Sequence, residues 1–108
     1  MAKLNPKNSG TYSGRLTADP IFIKTKAGIE FSAAFSLAVE RPPEKKGEKG
    51  VVDFIPCRLI GEQYMNGAHT LKKGSNIIAE GSLNVEFYEK DGQTCKAMYV
   101  NIHAWQYN

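Results

Sequence analysis

Apolar and polar positions alternate with period two along most of this chain. From Glu30 to Glu40, Phe31, Ala33, Phe35, Leu37 and Val39 alternate with Ser32, Ala34, Ser36 and Ala38. This predicts a strand with one apolar face and one small or polar face. Val51–Ile60 repeats the pattern, with Ile55, Cys57 and Leu59 on one face and Phe54, Pro56, Arg58 and Ile60 on the other. Pro56 marks an edge or a bulge there. Over Ile77–Tyr88, parity puts Ile77, Ala79, Gly81, Leu83, Val85 and Phe87 on a core face, opposite Ile78, Glu80, Ser82, Asn84, Glu86 and Tyr88. Lys90-Asp91-Gly92 is a hairpin signal leading into a last strand, Thr94–Tyr107. A first strand, Thr11–Thr17, ends at Ala18-Asp19-Pro20. The period changes once. Tyr64, Ala68 and Leu71 recur at helical spacing, which predicts a helix over Glu62–Lys73 with Gly74 at its C′ position. Gly67 weakens that helix by about 1 kcal/mol relative to alanine.

Residues 1–9 read as a flexible N-terminal arm and 10–108 as one domain. Three strands, a helix and two strands make an all-β fold: a five-stranded Greek-key barrel with one short helix between strands three and four. That is the oligonucleotide- and oligosaccharide-binding (OB) fold.

Composition narrows the chemistry. No run approaches membrane-spanning length, and the N-terminus has no apolar segment of the kind a secretory signal needs. A cytoplasmic protein is expected, nucleoid-associated if it binds DNA. Cys57 and Cys95 lie far apart without metal-ligand spacing, and His69 and His103 have no acidic or cysteine partner at such spacing, so all four read as structural and no cofactor or metal is expected. No nucleophile–base pair or phosphate-cradling glycine loop points to an enzyme. The net charge of +3 is mild, but its placement is informative. Lys24 and Lys26, then Arg41, Lys45, Lys46 and Lys49, then Lys72 and Lys73, then Lys90 all fall in connections or strand ends, which favours a groove for a polyanion. A single nucleic-acid strand exposes base faces and phosphates together, so a binder needs aromatics and bases interleaved on one sheet face. Phe54 and Arg58 meet that requirement.

The same residues carry a resemblance. Gly14-Arg15-Leu16-Thr17-Ala18-Asp19-Pro20, Phe35-Ser36-Leu37-Ala38-Val39-Glu40-Arg41-Pro42, Asp53-Phe54-Ile55-Pro56-Cys57, Leu71-Lys72-Lys73-Gly74-Ser75, Glu80-Gly81-Ser82-Leu83 and Tyr88-Glu89-Lys90-Asp91-Gly92-Gln93 occur in order at matching spacing. Over about residues 13 to 107 the chain resembles the bacterial and phage single-stranded-DNA-binding protein family. The resemblance implies sequence-tolerant binding and protection of single-stranded DNA in replication, recombination or repair, with no cofactor and as a homo-oligomer, dimer or tetramer. Stacking chemistry alone does not separate DNA from RNA. Phe54 takes a position where the family stacks a base, Ile60 one where it often has another aromatic, and Tyr88 is the second stacking candidate, with Phe87 its rival. Arg58 and Arg41 lead the phosphate contacts, followed by Arg15, Lys24, Lys26, Lys45, Lys46, Lys49, Lys72, Lys73 and Lys90. Trp105 reads as core or interface.

Several features depart from the family pattern. The opening strand Ser9-Gly10-Thr11-Tyr12-Ser13-Gly14 is not the continuous apolar run that pairs subunits, although Ile78 projects from the non-core face as an interface residue does. Pro42-Pro43 stands where relatives place an aromatic, and Glu86 on the presumed binding face opposes a polyanion. The sequence stops at Asn108 without the acidic tail by which cellular members recruit partners, so either a minimal, phage-like form or a trimmed chain is expected, without tail-mediated recruitment. A competing expectation is an OB-fold accessory module of the primosome or recombination type, acting mainly through protein contacts.

Overall fold

β3 (Glu30–Arg41) is the strand on which the molecule is organised, because its alternating face gives both a core and a smooth outer floor. The computed structural model describes residues 6–108, so the first five residues of the expected N-terminal arm lie outside the described residues. β3 pairs antiparallel with β4 (Val51–Ile60) along the whole length of β4, from Ser32↔Ile60 to Arg41↔Val51. β5 (Asn76–Lys90) and β6 (Gln93–Tyr107) form a long hairpin. β6 meets β4 in parallel at Cys57↔Val100 and Arg58↔Asn101. β1 (Gly10–Leu16) pairs with β5 over Gly10–Arg15 and then with β3 at Arg15 and Leu16, which closes the ring β1-β5-β6-β4-β3. This is the five-stranded OB barrel that the element order predicts.

Closure depends on glycine at two close approaches. A Cβ on Gly14 would lie 2.3 Å from the Ala38 carbonyl oxygen, where β1 crosses from β5 to β3, and one on Gly81 would lie 2.2 Å from the Asn101 oxygen. Gly81 faces Ile102 while Glu80 faces Ala104, so His103 is the extra residue of a β-bulge. Pro56 falls just before the short stretch that β4 shares with β6, where that edge is unpaired and a residue without an N–H is tolerated.

The interior is built as the alternation demands. Ala33, Leu37, Leu59, Ile77, Ala79 and Ile102 are fully buried, with Leu16, Phe35, Cys57 and Val100 beside them. One end of the barrel is plugged by a 3₁₀ turn, Glu62–Tyr64, and a single α-turn, α1 (Met65–Ala68). The helix expected over Glu62–Lys73 is therefore much shorter. The Gly67 carbonyl accepts both the N–H (3.0 Å) and the hydroxyl (2.7 Å) of Thr70, which diverts the chain from i→i+4 bonding. Ala68 and Leu71 still point inward, joined by Met65. Trp105 is half-buried against the core, over Gly67.

Two further expectations change. β2 (Ile21–Lys24) forms beyond the Pro20 break and pairs with β3, so Lys24 ends a strand rather than lying in a loop. Phe22, on its inward face, stacks on His69 at 4.1 Å, and His69 Nε2 contacts Glu30. Phe87, assigned to the core by parity with Leu83 and Val85, is 71% exposed, and Leu83 and Val85 are exposed too. The parity is right but the barrel has ended: β1 leaves β5 at Gly81 and β4 leaves β6 at Val100. Beyond those points the hairpin projects as a two-stranded arm, turned by Asp91 (φ 52°) and Gly92 (φ 77°), the left-handed pair a tight hairpin requires. At its base, Asn8 exchanges two side-chain hydrogen bonds with the Leu83 backbone, at 2.7 and 3.1 Å.

Both cysteines are free thiols. Burial pushes the Cys57 thiol up to about 12, while Cys95 is only half-buried on the arm. At pH 8, Ellman's reagent is expected to titrate one thiol quickly and the second only after unfolding. Two fast thiols would mean that the barrel opens readily around Cys57.

Candidate nucleic-acid interface

The outward positions of β3 are Ser32, Ala34, Ser36 and Ala38, all short. Their cross-strand partners on β4 are Ile60, Arg58, Pro56 and Phe54. A low floor thus runs beside a row of taller side chains. Phe54 is 66% exposed and Ile60 is also exposed. On the other side of the floor, Ile21 faces Ala34 and Ile23 faces Ser32, both exposed. A groove of about 310 Å³ crosses this face from Thr17 and Ile21 over Ala34 and Ser36 to Arg58 and Tyr99.

Arg58 is held by its surroundings. Its guanidinium carbon lies 4.2 Å from the centre of the Tyr99 ring, a cation–π contact that anchors the side chain at the groove wall. Tyr99 is almost fully buried, and its hydroxyl donates to Glu86 Oε1 at 2.7 Å. Glu86, which as a free carboxylate would oppose a polyanion, is partly satisfied by that bond. Tyr88 lies two residues further along the same face of the arm and is exposed.

The basic residues divide. Arg15 is the cross-strand neighbour of Ala38, whose other neighbour is Phe54, so Arg15 and Phe54 flank one floor position. Arg15 also donates to the Gly74 carbonyl at 3.3 Å, beside exposed Lys72 and Lys73; the Lys73 N–H is bound by Asp19. Lys24 and Lys26 are exposed at the β2–β3 turn, the end of the floor that holds Ile60. Lys45, Lys46 and Lys49 are exposed in the connection from β3 to β4 at the opposite end, and Lys90 is at the arm tip. Arg41 stands apart. It shares the parity of Leu37 and Val39 rather than that of Ala38, and Asp53 holds it through two bonds of 2.7 and 2.8 Å. That pairing raises Arg41 further and lowers the Asp53 carboxyl below its usual range.

Sequence reading missed Tyr99, Ile21, Ile23 and Lys96. Splitting β6 by parity would have found Tyr99, opposite Val100 and Ile102. The isoleucines needed β2, a four-residue strand too short to show a period.

The profile of the Single-strand binding protein family matches residues 7–107. The chain belongs to that family. It is 40% identical over 87 residues to a single-stranded DNA-binding protein of Bacillus cereus, covering 81% of this chain and 49% of the relative. It is 34% identical over 83 residues to one of Fusobacterium nucleatum, covering 75% and 53%. The chain thus spans about half the length of these curated relatives. Among solved structures, a Plasmodium falciparum SSB complex with ssDNA superposes with a TM-score of 0.77 at 19% identity, covering 98% of this chain and 96% of that one. A small single-stranded DNA-binding protein from Streptomyces coelicolor superposes with a TM-score of 0.70 at 20% identity, covering 93% of each. These two share the barrel of this family member. Among the described residues, no helix is long and apolar enough to cross a membrane.

Proposed function

We propose that this chain binds single-stranded DNA with little sequence preference, as a protein that covers exposed strands during replication, recombination or repair. The observation that carries this reading is the outer face of β3 and β4, where exposed Phe54 and Ile60 flank an Arg58 braced on Tyr99 above a floor of serine and alanine. Bases stack on Phe54 and, on the arm, on Tyr88. Phosphates run past Arg58 and Arg15, with the exposed lysines at both ends of the floor adding longer-range attraction. The names of the Bacillus and Fusobacterium relatives support the same ligand. Binding is the whole activity in this reading, in the cytoplasm and by a homo-oligomer.

A labelled dT homopolymer titrated at rising salt tests it. The expected result is saturable binding that weakens linearly in log–log form, by about 0.7 per phosphate neutralised. Absence of a complex at low salt rejects the reading. The tie between Arg41 and Asp53 and the presence of Glu86 favour a second reading, an accessory module acting mainly through protein contacts. In that case salt dependence is shallow, and Phe54→Ala hardly changes DNA affinity.

A further inference from the structure

β4 and β6 run together only at Cys57 and Arg58 and then diverge, leaving a notch between β4 and the base of the arm. The notch measures about 330 Å³. Small-molecule sites begin at roughly 300 Å³, so the notch has the size for one compact group rather than several. Pro56, Leu83, Met98, Val100 and the ring of Phe54 line it. Leu83 and Met98 are exposed although both continue the core-facing parity of their strands. The hydroxyl of Tyr99, which also borders the notch, is already committed to Glu86. The charged groups lie outside its lining: Arg58 is over the Tyr99 ring, Glu86 is on the Tyr99 hydroxyl, and Lys96, cross-strand to Phe87, shares the Met98 face of the arm. An apolar hollow that opens beside an exposed aromatic, with the guanidinium of Arg58 one side chain away over Tyr99, suits a base whose phosphates stay outside.

We propose that this notch is a thymine-selective base pocket, in which the C5-methyl group packs on Met98, Leu83 and Pro56. The inference rests on the single-strand binding reading above and adds a base preference to it. Thymine and uracil present identical hydrogen-bonding edges, so any bond to the open strand edges of the notch cancels between them and only the methyl group differs. Apolar contact is how proteins recognise that methyl group on duplex DNA, and burying one such carbon is worth about fourfold in affinity.

The test is competition against a labelled dT oligomer by unlabelled dT and deoxyuridine homopolymers of equal length. The dU strand is expected to compete about fourfold less well for each notch occupied. Met98→Gln and Leu83→Asn replace exposed side chains, and each is expected to bring the dT:dU ratio towards one. Equal competition by dT and dU in the unaltered protein overturns the proposal. So does a ratio that neither variant moves, since the methyl group is then sensed elsewhere, for example by stacking on Phe54 alone. Failure of both strands to bind removes the single-strand reading itself, and the pocket with it.

Discussion

Phe54→Ala lowers affinity for a dT homopolymer by about five- to 150-fold, the equivalent of about 1–3 kcal/mol for one stacked base. The ring is two-thirds exposed and lies on the face of β4 opposite Ile55, Cys57 and Leu59, so the barrel does not need it to fold. Thermal unfolding of the variant therefore stays at the parent midpoint, which separates lost binding from lost structure. Arg58→Ala also weakens binding but differs in kind. Removing one phosphate contact makes the salt dependence shallower by about 0.7, whereas Phe54→Ala leaves the slope alone. Arg58→Lys keeps the slope but loses the guanidinium contact over the Tyr99 ring. Equilibrium titrations of the three variants at several salt concentrations read all of this, and unchanged affinity for Phe54→Ala would move the ligand off this face.

The second large effect falls on stability. Gly81→Ala is expected to destabilise the protein by about 3 kcal/mol, read as a lower urea midpoint with an unchanged slope. The added carbon would meet the Asn101 carbonyl at 2.2 Å, and both atoms belong to paired backbone that cannot turn aside as a long side chain can. The position joins three constraints: the last pair of β1 with β5, the bulge at His103, and the start of the arm. An unchanged midpoint would show that β5 and β6 part there at no cost.

Much of the barrel was legible because period two is a strong signal when one face is fully buried. β3 and β4 are the clear cases: Ala33, Phe35 and Leu37, and Cys57 and Leu59, all point where alternation puts them. The same reasoning located Phe54, Arg58 and Ile60 on one outer face. It failed where the outcome depended on distant strands. Phe87 has core parity, yet its exposure is decided by where β1 and β4 stop, and nothing near Phe87 in the sequence encodes that. The helix came out short because local spacing cannot weigh Thr70 competing for the Gly67 carbonyl. By sequence Arg41 ranks with Arg58 for its nearness to the groove strands, while its two-bond tie to Asp53 shows only once β3 and β4 are paired. Tyr99 was invisible as a site residue because its role lies beneath Arg58, in the geometry of a cross-strand contact.

The arm has a further consequence. Among the described residues no third strand accompanies β5 and β6 past Gly81 and Val100, so the arm's length can change without disturbing the closed ring. Deleting one residue from each strand shortens it by about 3.4 Å and rotates everything beyond to the opposite side, so that Phe87 and Tyr88 exchange faces. Deleting two from each preserves the facing and alters only the span. Loop-length variation at this hairpin therefore comes in two kinds: odd steps change which aromatic lies on the side of Tyr99, and even steps change how far along a strand the protein extends.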